Sequence, residues 1–110
     1  MKSKKPSTEG HKINDDTFII VEEMPAYKDG KDALDQYLLN ECANSTIKGK
    51  VFVSFTVDQK GNVVDVGIAK SSNEKLNEKA LSIVQNMDTW KPGKQRGKPV
   101  KVAFTVLLEF

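Results

Sequence analysis

Few residues of this 110-residue chain can do chemistry, and those few are scattered. Covalent or acid–base catalysis needs a nucleophile, a base and a charge-stabilising group that converge. The single histidine, His11, stands in a Lys-, Ser- and Asp-rich stretch with no cysteine or second histidine beside it. The single cysteine, Cys42, falls on the apolar stripe of a predicted helix, where a thiol serves as a small core residue. One cysteine gives neither a disulfide framework nor a Cys-rich metal site. No glycine-rich loop follows a strand and opens a helix as a phosphate cradle does; Gly93 and Gly97 precede a strand instead. The sequence reads as a non-enzyme, with no catalytic residue, metal or cofactor. Its one concentration of charge is basic: Lys91, Lys94, Arg96, Lys98 and Lys101. From Ile47 onward eleven Lys and Arg stand against six Asp and Glu, yet the net charge is only +2. Such a run ordinarily means a solvated basic loop, and so small a net charge speaks against a dedicated nucleic-acid binder.

The basic run is positioned by the segment on its C-terminal side. Between Trp90 and Pro99 the chain cannot stay helical, because Pro92 and Pro99 lack an amide donor and Gly93 and Gly97 supply turn conformations. Beyond it Val100, Val102, Phe104, Val106, Leu108 and Phe110 alternate with Lys101, Thr105 and Glu109, which predicts a long strand with one buried face. The rest of the chain supplies partners for that strand. Residues 1–16 carry almost no apolar surface and are expected to be a disordered tail or linker, with a single domain over residues 17–110. Phe18-Ile19-Ile20-Val21 reads as a short edge strand or an extended arm, ended by Pro25. Asp29 is placed to cap a first helix, Lys31 to Ala43, with Leu34, Tyr37, Leu38 and Cys42 on its apolar side. Val51 to Val57 and Val63 to Lys70, joined by Asp58-Gln59-Lys60-Gly61, predict a β-hairpin. Its inward residues are Val51, Val53, Phe55 and Val57 on one strand and Val64, Val66 and Ile68 on the other. Ser71 and Glu74 fit a capping box for a second helix, Asn73 to Met87, whose stripe is Leu76, Ala80, Ile83, Val84 and Met87. Phe55, Phe104, Ile83, Val84 and Trp90 are expected to be buried together.

The expected fold is α+β and two-layered: a small antiparallel three-stranded sheet, with a possible short extra N-terminal strand and both helices on one face, in the order (β)-α-β-β-α-β. No apolar run approaches the length of a membrane span, and no apolar segment follows Met1-Lys2-Ser3-Lys4-Lys5 as in a signal peptide.

Lys48-Gly49-Lys50-Val51-Phe52-Val53-Ser54-Phe55 resembles the signature of RNA-recognition motifs, but Lys50 stands where a stacking aromatic belongs and Val51 where a small residue does. An RNA-binding α/β domain is therefore the third reading of the chain. A closer likeness runs from about Val21 to Phe110. Val21-Glu22-Glu23-Met24-Pro25, Gly49 to Asp58 with Gly61, and above all Trp90-Lys91-Pro92-Gly93-Lys94-Gln95-Arg96-Gly97-Lys98-Pro99-Val100 resemble the C-terminal domain of TonB, the energy transducer of Gram-negative bacteria. The connection Asn44-Ser45-Thr46-Ile47-Lys48 departs from that family in being short and lacking its Tyr-Pro pair.

The resemblance implies a periplasmic domain of a protein anchored in the inner membrane, where a proton-driven motor acts on it through an N-terminal anchor outside this sequence. It implies that the domain grips the TonB box, a short peptide of TonB-dependent outer-membrane transporters, by adding it as a strand beside the last strand. The residues so implicated are the edge Val100, Lys101, Val102, Ala103, Phe104, Thr105 and Val106, flanked by the basic Lys94, Arg96 and Lys98. The same domain type occurs fused to membrane sensor-peptidases, which gives a binding module on such a sensor as the second reading. A long open edge also invites a second copy, so a homodimer at high concentration is expected.

Overall fold

Period-two alternation and one turn fix the centre of the sheet. In the computed structural model, which describes residues 17–110 and the backbone of residues 11–12, the hairpin strands are β4 (Lys50–Val57) and β5 (Val63–Ser71). The chain enters through β1 (His11–Lys12), β2 (Thr17–Ile20) and β3 (Ala26–Tyr27), followed by α1 (Lys31–Cys42). After the hairpin come a single 3₁₀ turn (Glu74–Leu76), α2 (Asn77–Gln85), β6 (Trp90–Lys91), β7 (Gly93–Gln95) and β8 (Lys98–Glu109). The expected disordered stretch, residues 1–16, lies outside the described residues except for His11–Lys12, whose backbone pairs with β2.

The sheet order is β1-β2-β8-β4-β5, with β7 also paired to β8 and β3 pairing β6 separately. The expected antiparallel trio is present as β8-β4-β5. The sheet goes further than expected, because β2 joins β8 in parallel and makes it mixed. Val51, Val53, Phe55 and Val57 are fully or almost fully buried beneath the helices. On β5 the phase shifts. Asp65 sits at φ 53°, in the left-handed region that Asp tolerates, and the ladder slips there. Val63, opposite Val57, thus faces inward and Val64, opposite Thr56, does not, which corrects the expected inward set.

The helices form where the apolar stripes predict, but their caps differ. Asp29 does not cap α1: it lies at φ 67° and the N-cap is Gly30 at φ 94°, with no side-chain cap bond. Asn73 caps the 3₁₀ turn that leads into α2, its Oδ1 accepting the Lys75 amide at 3.0 Å, while Ser71 Oγ accepts the Asn73 amide at 3.2 Å. Leu34, Tyr37, Leu38 and Cys42 of α1 meet Ala80, Ile83 and Val84 of α2 over the same sheet face. Burial pushes the Cys42 thiol up and suits it to a core role. The two helices are joined by one polar contact, Tyr37 Oη donating to the Ile83 carbonyl at 2.6 Å.

Burial pushes the Tyr37 phenol up to about 12. An unfolded tyrosine ionises near pH 10, so the unfolded chain gives up this proton first. The contribution of Tyr37 is therefore complete below about pH 10 and declines as pH rises through its folded value. Tyr37→Phe should lower stability by about 0.5–1.5 kcal/mol at neutral pH, the net worth of one hydrogen bond. Denaturant midpoints of the variant should also fall less steeply than wild type between about pH 10 and 12; parallel slopes would contradict the assignment.

Candidate functional site

The alternation of the last strand determines which backbone groups it offers. Gly49 and Phe110 exchange both backbone hydrogen bonds, at 3.4 and 2.8 Å. From there the β4–β8 ladder runs to Val57–Val102 without a slip. Every second residue of β8, namely Leu108, Val106, Phe104 and Val102, therefore turns its N–H and C=O toward β4. Ala103, Thr105 and Leu107 turn theirs to the far edge. Among the described residues no strand pairs with that edge beyond Val102.

Upstream the edge is not open. β2 lies on it in parallel, Thr17 beside Lys101 and Phe18 beside Val102. The reason is burial: Phe18 and Val21 close over Val102, which is fully buried, with Val100 and Phe104 packed around them. Pro99 supplies no donor there. β7 pairs with Lys98, Pro99 and Val100 on the other side of the strand. Lys94 spends its N–H and C=O on Glu23, at 2.8 and 3.0 Å, so the bonded pairs are Gly93–Val100 and Gln95–Lys98. That phase puts β7 in line with β4.

The basic residues fall on a tight hairpin. Arg96 at φ 55° and Gly97 at φ 78° form its two-residue turn. The Arg96 amide donates to Glu22 Oε1 at 2.8 Å, and the buried Gln95 accepts the Glu22 amide through Oε1 at 3.0 Å. Lys94, Arg96 and Lys98 are exposed at the start of β8, about 20 Å along the strand from Phe104 at roughly 3.3 Å per residue. They are grouped with one another and not with the middle of the edge.

What does adjoin the open edge is an apolar groove that sequence reasoning missed. Its volume is about 310 Å³, and it lies between Phe104 and Val106 of β8, Lys31 and Leu34 of α1, and Pro25, Ala26, Tyr27 and Trp90. The aromatic members pack on one another: Trp90 lies 5.4 Å from both Tyr27, edge-on, and Phe104, tilted, centroid to centroid, and Phe104 stacks on Phe55 of the core at 5.9 Å. The sequence signal for the groove is the alternation itself, since Phe104 and Val106 are inward residues beyond the end of the arm. The alternation does not give the position of α1. Of the RNA-recognition signature, Phe55 is buried in the core, where no base can stack on it. Among the described residues no group of three or more His, Cys, Asp or Glu is arranged to hold a metal ion, and no helix is long and apolar enough to cross a membrane.

The alternation predicts Phe104 in the closed core with Phe55, Ile83, Val84 and Trp90; those four are buried, and Phe104 is half-buried because it walls the groove. Phe104→Ala should therefore cost less than the roughly 3–5 kcal/mol of a closed-core aromatic deletion. Urea midpoints for Phe104→Ala and Phe55→Ala check this, with Phe55→Ala the more damaging of the two; the reverse order would show that the groove is closed in solution.

Comparison with known proteins gives one match. Residues 40–110 match the family described as Gram-negative bacterial TonB protein C-terminal. The match begins within α1 and leaves out Val21 to Leu39, which the wider likeness includes. No curated protein and no solved structure matches the chain.

Proposed function

Given that the chain belongs to the Gram-negative TonB C-terminal family, we propose that it binds the TonB box of an outer-membrane transporter as an added strand on the far edge of β8. The family is a periplasmic interaction domain that works with outer-membrane transporters. The observation that carries the finer reading is the outward run of backbone groups on Ala103, Thr105 and Leu107 beside an apolar groove. Strand addition uses both features: the ladder supplies affinity and pockets for alternate side chains supply selectivity. Within the edge Val100 to Val106, the odd-numbered residues make the ladder. Phe104 and Val106 form the floor on which inward peptide side chains rest.

Each backbone hydrogen bond contributes about 0.5–1.5 kcal/mol net. Lys94, Arg96 and Lys98 act on whatever flanks the peptide near Lys98, where exposed ion pairs give only about 0–1 kcal/mol each. The ladder and the groove therefore dominate, and the bases tune encounter and salt dependence. Force from the inner membrane would load this joint along the strand.

The test is an amide NMR titration with a synthetic peptide spanning a transporter's TonB box. Shifts should centre on Lys101 to Leu107 and on the groove residues Leu34 and Trp90. Thr105→Pro removes an outward donor beyond the arm without touching the β4 ladder, so it should weaken binding severalfold while the fold persists. Shifts confined to the β4–β5 turn or to the outer face of α1 would contradict the placement, as would full affinity in Thr105→Pro.

A further inference from the structure

The edge proposed for the peptide already carries a strand at one end, and that strand belongs to the chain itself. β2 runs parallel to β8, with Thr17 beside Lys101 and Phe18 beside Val102. Phe18 is 7% exposed and Val21 6%, and both rest on Val102 in a small cluster separate from the main core. Beyond Phe18 the arm leaves the edge: Ile19 and Ile20 are exposed, at 40% and 54%. It then crosses to β7, where Glu23 pairs with Lys94. On the edge itself the arm is held by two apolar side chains and a short ladder beside Lys101, and further on by the bonds of Glu22 and Glu23 to Gln95, Arg96 and Lys94. The rest of the domain does not depend on it, because Val51, Val53, Phe55 and Leu108 are buried in the main core, to which Phe18 and Val21 do not belong.

Resting on the strand-addition reading above, we propose that β2 is an internal occupant of the peptide edge, which an incoming peptide displaces from Lys101 and Val102. Phe18 then marks what the edge accepts: an extended segment parallel to β8, with a large apolar side chain over Val102. Both strands need the same outward groups of Lys101 and the same apolar seat among Val100, Val102 and Phe104, so they cannot share it. The arm keeps a β-prone edge covered while no partner is present. It also lowers the apparent affinity by the fraction of molecules in which it is docked. A parallel peptide enters with its N-terminal side toward the Lys94–Lys98 hairpin, so acidic residues that help binding belong before its apolar core.

The experiment compares the wild-type chain with Phe18→Ala and Val21→Ala by calorimetric titration with the same TonB-box peptide, following hydrogen exchange at Phe18 and Lys101. If the arm is docked in about nine molecules of ten, releasing it tightens binding about tenfold. Phe18→Ala should approach that gain, and Val21→Ala should show a smaller change of the same sign. In the wild type, Phe18 should lose exchange protection as peptide is added while Lys101 stays protected. Peptide binding with equal or weaker affinity in both variants, or with Phe18 still protected at saturation, overturns this inference and leaves strand addition at Ala103 to Leu107 standing. Failure of the peptide to bind any of the three chains overturns the strand-addition reading, and this inference with it.

Discussion

One junction holds the parts of this domain in place: Trp90 against the turn of the central hairpin. Its amide donates to the Gly61 carbonyl at 2.9 Å, and its ring meets Tyr27, Phe55 and Phe104. Four segments distant in sequence therefore meet on one residue: the entering chain, the hairpin, the end of α2 and the last strand. The approach is close enough to dictate a glycine. A Cβ on Gly61, already at φ 86°, would stand 2.0 Å from the Trp90 carbonyl oxygen. Burial of this aromatic cluster outweighs the ion pairs, which are exposed: Lys28–Asp88, Lys31–Asp35 and Lys50–Glu109.

That junction also makes the groove. Trp90 and Tyr27 hold the β3–β6 pair beside Phe104 and stop the entering chain from lying flat along β8. The arm reaches the strand only at Lys101 and Val102, crosses over Val102 and is bound again at Lys94. Downstream, α1 comes beside β8, where Asp35, Leu38 and Leu39 share a hollow with Leu107 and Glu109. Between arm and helix the sheet keeps an apolar floor, and its ladder there pairs with no strand among the described residues. An edge of this kind invites pairing, and the short open length, bounded by the arm and by exposed Glu109, limits what can pair with it.

Most of the framework is legible in the sequence, because two periods carry it. Val51 to Val57 and Val100 to Leu108 alternate, Leu76 to Met87 repeats at helical spacing, and the inward positions of each pattern face the core. The misreadings have local causes. A single residue in the left-handed region, Asp65, shifts the phase of β5 and exchanges Val63 for Val64. Ser71, Asn73 and Asp29 all have capping chemistry, and only the path of the chain decides that Asn73 is used. β7 is a strand of three residues inside turn chemistry, formed because Arg96 takes a conformation more usual for Asn or Gly. The parallel β2–β8 contact and the groove depend on long-range packing, about which the spacing of Phe18 and Val21 says little. For the same reason sequence spacing does not give the distance between the basic hairpin, Lys94 to Lys98, and the groove at Phe104 and Val106.

The most direct measurement of the central claim is disulfide trapping between the domain and a TonB-box peptide carrying one cysteine, moved residue by residue. Cys42, the sole native thiol, is buried and does not compete. Thr105→Cys places a thiol on the exposed outer face at the open edge, and Asp65→Cys places one on the opposite edge strand, β5. Strand addition at β8 predicts trapping by Thr105→Cys at alternate peptide positions, because neighbouring residues of an added strand face opposite ways. Trapping by Asp65→Cys at equal yield, or by Thr105→Cys without that two-residue period, would contradict it.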